Sequence, residues 1–508
     1  MKWEHVRYFL FAAALPAAAV LIGFPDLMDP SNPRVAYTAA VALVMALWWM
    51  SEVIPLAVTA LIPVALFPLL GIMSGKDVSA TYFNHLIFLF IGGFLMALAM
   101  EKWNFHRRIA LFLLRYTGLR PAGMLAGFMG VTAFLSMWIS NTATAMMMVP
   151  ILLSITAKLR EIYGSDLLVR PEKGFLLGIA YAASAGGIAT LIGTPPNLSF
   201  ARIFKIYFPD APEIGFAEWM AFALPLSLAL LTVIYVFLYR MYFRGFARHV
   251  QADKSLIENE YRKLGPMSYE EKWVGILFAA LVFLWLFRRP ADLGFFRIPG
   301  WSELFPHPSY IKDGNVAVAI GILLFLIPAK NRKHGKFLMD WKTAERIPWG
   351  IILLFGGGFA LASGFKESGL SLYIGQSLSG LRHLPPILLL LLVVTTITFL
   401  TELTSNTATV ETFLPVLASI AVALRINPLF LMVPATVAGS FAFMLPVATP
   451  PNAIVFGARR LKISDMVKTG FWLNLAGILL LTLFAYFYMR WVFHIDLSEF
   501  PQWARMSG

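Results

Sequence analysis

The 508-residue sequence contains no cysteine. Disulfides, thiolate metal sites and cysteine nucleophiles are therefore excluded, and cysteine usage carries no record of compartment. Charge is scarce too: Asp, Glu, Lys and Arg make up 14% of the residues, against about 25% in soluble domains. Hydrophobic residues account for 59% and the mean hydropathy is +0.72, which excludes an ordinary soluble globular protein. The eight histidines show no metal-ligand spacing and there is no Gly-rich phosphate loop, so an ATP-driven pump is unsupported. Acidic residues number 28 against 41 basic ones, a net charge of +13. That excess does not imply nucleic acid, because the basic residues lie in short segments between apolar runs, where membrane topology concentrates them.

What the sequence does have is apolar runs of about 20 residues, each able to cross a hydrocarbon core of about 30 Å. Residues 86–100, 350–364 and 475–489 with their flanks are examples, and they predict an all-α polytopic membrane protein. Lys2 and Arg7 ahead of the first run imitate a signal peptide, which we read as an uncleaved first span. Counting from a cytoplasmic N-terminus, spans near 8–24, 35–50, 53–71, 85–101, 174–208, 216–239, 273–287, 314–329, 347–365, 428–456 and 469–493 give 11 transmembrane helices and an outside C-terminus. The basic clusters at 107–120, 240–272, 330–342 and 459–468 then all fall inside. Only 288–313, with Arg288, Arg289 and Arg297, fits its outer position poorly.

Residues 121–158 and 384–425 are apolar but interrupted by polar runs, and counting either as one crossing puts basic clusters on the wrong side. Both are predicted to be re-entrant helical hairpins, since irregular backbone at membrane depth survives only inside protein or along a wet cavity. The expected organisation is a first half, 1–240, with the inward-side hairpin 121–158; a charged cytoplasmic linker, 241–272; and a second half, 273–508, with the outward-side hairpin 384–425.

The two polar interruptions are nearly one sequence. Ser140-Asn141-Thr142-Ala143-Thr144 recurs 265 positions later as Ser405-Asn406-Thr407-Ala408-Thr409. The same offset carries Gly92-Gly93-Phe94 onto Gly357-Gly358-Phe359 and Pro150 onto Pro415. A second pair follows, Gly193-Thr194-Pro195-Pro196-Asn197 and Ala448-Thr449-Pro450-Pro451-Asn452. The charge count runs the two halves in opposite directions, so they form inverted-topology repeats, the signature of a secondary transporter with its sites near the midplane. Each Pro-Pro pair frees carbonyls able to coordinate sodium. The tip Ser, Asn and Thr groups can hold a cation through oxygen or a carboxylate through N–H and O–H. A single such tip is usually an interhelical hydrogen-bonding cluster; two in register are not.

At these residues the sequence resembles the divalent anion:sodium symporter family of sodium-coupled dicarboxylate, citrate and sulfate carriers. Residues 440–455, Ser-Phe-Ala-Phe-Met-Leu-Pro-Val-Ala-Thr-Pro-Pro-Asn-Ala-Ile-Val, look like its C-terminal signature, with Gly439 ahead of it departing from that pattern. The resemblance extends to Trp48-Trp49 with Glu52-Val53-Ile54-Pro55. It implies a homodimer in a bacterial inner membrane, with a scaffold domain and a transport domain that moves as an elevator. It further implies at least two sodium sites: Ser136, Ser140 and Asn141 with the Gly193 carbonyl, and Thr401, Thr404 and Asn406 with the Ala448 carbonyl. Substrate carboxylates would lie on Ser140, Asn141, Thr142, Thr194 and Pro195 and on Ser405, Asn406, Thr407, Thr449 and Pro450.

The expected activity is sodium-coupled import of C4-dicarboxylates, with no enzymatic chemistry. The partners are a dianionic substrate, sodium and membrane lipid. A sodium-independent dicarboxylate exchanger, a citrate or sulfate carrier and, more distantly, a channel are the alternatives. No Lys or Arg occurs in 121–157, 174–201, 384–424 or 426–458, so a dianion there must rely on neutral donors and sodium. Glu402 is expected to hold a structural hydrogen-bond role. Glu411, unusual for the family, is expected to be a partner-satisfied polar group, with a proton site as the alternative.

Overall fold

A computed structural model describes residues 2–117, 120–243, 255–292, 297–331, 335–377, 380, 383–497 and 499–505. Apart from the two-residue antiparallel strands β1 (Ala291–Asp292) and β2 (Arg297–Ile298), the regular structure described is helical. In the first half, α1 (Lys2–Gly23), α2 (Pro33–Ser51), α3 (Leu56–Thr59), α4 (Ile62–Leu69), α5 (Gly75–Tyr82) and α6 (His85–Lys102) precede α7 (Phe105–Leu114). Then come α8 (Pro121–Ser136), α9 (Asn141–Tyr163), α10 (Ser165–Gly187), α11 (Pro195–Tyr207) and α12 (Phe216–Tyr242). The linker contributes α13 (Ser255–Arg262) and leads into α14 (Tyr269–Leu286). The second half continues with α15 (Asp313–Leu326), α16 (Trp341–Ala344), α17 (Trp349–Glu367), α18 (Leu370–Ser377), α19 (Pro386–Thr401), α20 (Asn406–Ala423), α21 (Leu429–Ala438), α22 (Pro450–Gly457), α23 (Ile463–Phe484) and α24 (Arg490–Val492).

Among the described residues eight helices are long and apolar enough to cross a membrane, and five shorter apolar helices accompany them. Local chemistry marks their starts. Asn84 accepts from the Leu86 N–H at the head of α6, and Pro33, Pro121 and Pro386 occupy first-turn positions where a missing N–H costs nothing. The repeat is visible in the element bounds: α19 and α20 begin 265 positions after α8 and α9, and α19 also ends 265 positions after α8. The segments 174–208 and 428–456, each read as one span, are broken at 188–194 and 439–449, just ahead of the Pro-Pro pairs.

Small residues set the closest helix approaches, as expected where van der Waals packing rather than water drives association. α6 crosses α15 with Gly92 against the Ala317 backbone and Gly314 against the His85 carbonyl. On α17, consecutive glycines face three different elements: Gly356 meets Tyr82 of α5, Gly357 meets Ala60 after α3, and Gly358 meets Glu411 of α20.

Charged residues concentrate at the ends. The linker is more than a solvated connector. Its Glu260 pairs with Arg107 of α7 and its Glu258 with Arg115 just past the end of that helix, and Glu271 at the head of α14 holds Arg108 at 2.7 Å. Two of the three arginines in 288–313 are paired locally; the side chain of Arg297 lies outside the described residues. Buried Arg288 pairs with Asp313, and Arg289 and Lys312 pair with Glu213, so these cations are neutralised locally and weigh little in a count of loop charge.

The α6–α15 crossing yields a stability prediction. A Cβ on Gly92 collides with backbone, whereas Gly130 has nothing within 4 Å of that position. Gly92→Val is expected to lower stability by about 1–3 kcal/mol, read as an earlier thermal unfolding transition in detergent, with Gly130→Val nearly unchanged.

Candidate functional site

Each hairpin closes on the same side-chain link. The last residue of α8, Ser136, donates its hydroxyl to Asn141 Oδ1 at the first turn of α9. The last residue of α19, Thr401, stands 2.7 Å from Asn406 Oδ1 at the first turn of α20, and 2.9 Å from the Gly439 carbonyl oxygen. Ser140 caps α9 by accepting from the Ala143 N–H at 3.2 Å, while the Ser405 hydroxyl makes no cap bond. The tips thus present helix N-termini beside gathered neutral oxygens, a combination suited to anions and small cations together.

The two breaks are held by matching asparagines. Asn197 donates its amide to the carbonyls of Gly187, Ile188 and Thr190, the last at 2.7 Å. Asn452 donates to Ala442 at 2.9 Å and Leu445 at 3.0 Å, which lie 255 positions beyond Gly187 and Thr190. Peptide groups released by unwinding are therefore partnered inside the protein. Packing interleaves the halves: α9 lies against α22 and α20 lies against α11, so each hairpin touches the post-break helix of the other repeat.

These contacts bring many of the expected site residues together. A Cβ on Gly187 would lie 2.6 Å from Asn141 Oδ1 and 3.1 Å from the Gly193 carbonyl oxygen, so Ser136, Asn141 and Gly193 converge. The second cluster differs in detail. The Thr404 hydroxyl turns to Leu400 and Thr409, the Ala448 amide bonds Leu445, and it is Gly439 that offers a carbonyl to Thr401. Ser140, Thr142 and Ala143 line a cavity of about 540 Å³ that includes Phe94, Met146 and Arg346. Ser405 and Asn406 are half-buried, as Ser140 and Asn141 are, while Thr407 is buried where Thr142 is not. Pro195 and Pro450 open α11 and α22 at their first positions, where a proline satisfies the helix.

Glu402 has the structural role expected of it. Its carboxylate accepts from the backbone N–H groups of Phe443, Met444 and Leu445 at 2.7, 2.8 and 3.1 Å and from Asn474 Nδ2 at 2.7 Å. At the equivalent point of the first half, the Met137 carbonyl receives the Thr190 hydroxyl at 2.6 Å. Glu411 is only half satisfied: Oε1 accepts from Ser199 at 2.7 Å, and Oε2 is buried with no partner. The anchoring function of Asn197 and Asn452 escaped the sequence reading, although both were visible as the last residue of each Thr-Pro-Pro-Asn.

Comparison with known proteins places this geometry in context. Residues 3–495 match the family described as the sodium:sulfate symporter transmembrane region. The sodium-dependent dicarboxylate transporter SdcS of Staphylococcus saprophyticus is 40% identical over 479 residues, covering 93% of this chain and 90% of its own. SdcS of Staphylococcus aureus is 41% identical over 467 residues, covering 91% and 88%. The crystal structure of the YdaH transporter of Alcanivorax borkumensis superposes with a TM-score of 0.54 at 15% identity, covering 84% of this chain and 88% of that one. At that identity the likeness concerns the fold alone.

Glu402→Ala is expected to destabilise the protein by at least about 3 kcal/mol, since three backbone donors lose their acceptor at roughly 1–3 kcal/mol each. Glu402→Gln, which keeps an acceptor oxygen, should lose less. Thermal unfolding of the two variants side by side checks the ordering.

Proposed function

Because the chain belongs to the sodium:sulfate symporter family, we propose that it is a sodium-coupled secondary transporter importing C4-dicarboxylates such as succinate, malate and fumarate. The observation that carries this reading is the repeated link of Ser136 to Asn141 and Thr401 to Asn406 at two hairpin tips. The names of the Staphylococcus relatives support sodium and a dicarboxylate as the transported pair. One sodium is held by Ser136, Ser140, Asn141 and the Gly193 carbonyl. A second is held by Thr401, Thr404, Asn406 and the Ala448 carbonyl, with Gly439 adding an oxygen beside Thr401. The two substrate carboxylates rest on Ser140–Thr142 with Thr194 and Pro195, and on Ser405–Thr407 with Thr449 and Pro450.

Energetics explain why the ions travel together. Even one buried ion carries a penalty of several kcal/mol, and the surrounding stretches contain no Lys or Arg. Helix N-termini return only roughly 0.3–1 kcal/mol each, or about 2 when partly buried. Sodium supplies the missing positive charge and fixes each tip in its binding shape, so sodium and substrate strengthen each other's binding by the same factor.

The movement is an elevator in a homodimer of the bacterial inner membrane, with the N-terminus cytoplasmic and the C-terminus outside across eleven spans and two re-entrant hairpins. α1–α6 and α14–α17 form the scaffold. The hairpins with α10–α12 and α21–α23 form the transport domain, and α7 and α18 are the arms between them. The cavity that reaches Ser140 and Thr142 supports an inward-open state.

Calorimetry on the purified protein should give succinate binding in sodium buffer at least about tenfold tighter than in choline buffer, a difference of about 1.4 kcal/mol. Asn141→Ala and Asn406→Ala should each weaken the sodium-dependent part, while Arg459→Gln leaves it nearly intact. Equal affinity in both buffers would point to a sodium-independent exchanger.

Competition uptake in proteoliposomes tests the substrate class: unlabelled succinate and malate should suppress labelled succinate at concentrations where sulfate and citrate do not. For the movement, the cysteine-free chain allows Ile206→Cys and Lys366→Cys to be joined by a short bifunctional maleimide, tying α11 to α17. Verified crosslinking should stop exchange; full activity would count against a sliding domain.

A further inference from the structure

The cavity that reaches Ser140 and Thr142 has two ionised side chains on its wall among the described residues, Arg346 and Glu101. They pair with each other, Arg346 Nη2 to Glu101 Oε1, and both are substantially exposed, at 55% and 41%. The third titratable group there is His106. Burial holds its imidazole below the usual histidine range despite the Met100 carbonyl and Glu101 beside it. Among the described residues Arg346 is the one Lys or Arg that a dianion meets on this wall.

An ion pair this exposed contributes little net free energy. A competing carboxylate can take the guanidinium at small cost, and the planar fork of arginine is suited to receive it. The pair is also unnecessary as a clasp. Lys102 and Asp340, next to it, already join the end of α6 to the head of α16 through a lysine side chain that is 9% exposed. The repeat treats the position as a charge setting: 265 positions beyond Glu101 stands Lys366, whose ammonium donates to the Ile206 carbonyl.

We propose that Arg346 is an anion-receiving subsite at the cavity mouth, where a substrate carboxylate displaces Glu101 from the guanidinium on its way to or from the Ser140–Thr142 tip. This rests on the reading of the substrate as a dianion. Glu101 is the internal competitor: it keeps the mouth neutral when no substrate is present and lets the anion go once it moves on. Arg346 thus sets affinity on this face and takes no part in the deep site.

The test measures KM and kcat for succinate presented to this face in oriented proteoliposomes, with sulfate run in parallel, for wild type, Arg346→Gln, Arg346→Lys, Glu101→Gln and the double variant. Arg346→Gln is expected to raise KM about fivefold and flatten its dependence on salt, with kcat little changed. Glu101→Gln should lower KM about two- to threefold. Arg346→Lys should recover part of the loss, and the double variant should lie near Arg346→Gln. Arg346→Gln and Glu101→Gln shifting KM in the same direction would mean that only the intact pair matters and would overturn the proposal, as would no shift in either. Failure of the dicarboxylate reading shows separately, as wild-type protein that moves sulfate and not succinate, and the same ordering of KM values is then read with sulfate.

Discussion

A backbone that stops being helical inside a hydrocarbon layer must find partners for every peptide group it releases, because no solvent is there to take them. This constraint organises the centre of the molecule. Asn197 and Asn452 each reach back across an unwound turn to carbonyls released where the helix stops ahead of the Pro-Pro pair. Glu402 gathers three N–H groups of the second break, and the Thr190 hydroxyl bonds across from the first break to the end of α8. With their peptide groups satisfied, the breaks can stay irregular, and only then can the hairpin tips rest against them.

The two halves meet this shared requirement with different chemistry. Where the first half uses the Met137 backbone carbonyl to anchor its break, the second uses the Glu402 carboxylate 265 positions on. Met146 of the first hairpin lines the open cavity, and its counterpart is Glu411, fully buried against Ser199 and Gly358. Pseudo-symmetry thus governs backbone path and tip geometry, while side chains away from the tips have diverged toward the surroundings peculiar to each face.

Much of this architecture was legible in the sequence because it is written in short-range signals. The Ser-Asn-Thr tips announce helix starts, the Pro-Pro pairs announce breaks, and the shared offset puts them in register. What stayed hidden depends on partners far away in the chain. Arg288 and Arg289 look like stray outer cations until Asp313 and Glu213 are seen against them. The bond from Thr401 to the Gly439 carbonyl, 38 positions on, follows from how α19 and α21 pack, which no periodicity encodes. The unpartnered oxygen of Glu411 likewise exists only because α11 and α17 enclose it.

The register itself carries a history. It stands at 265 through both hairpins and at 255 through both Pro-Pro breaks, so ten positions separate the copies between those landmarks. α9 and α10 are each 23 residues long, against 18 for α20 and 10 for α21. The surplus of the first copy falls around 158–170, where Lys158, Arg160, Glu161, Asp166 and Arg170 cluster. An ancestral duplication followed by one insertion or deletion accounts for the pattern. Length was free to drift at a charged helix junction and was held constant wherever hydroxyl, amide and carbonyl had to meet.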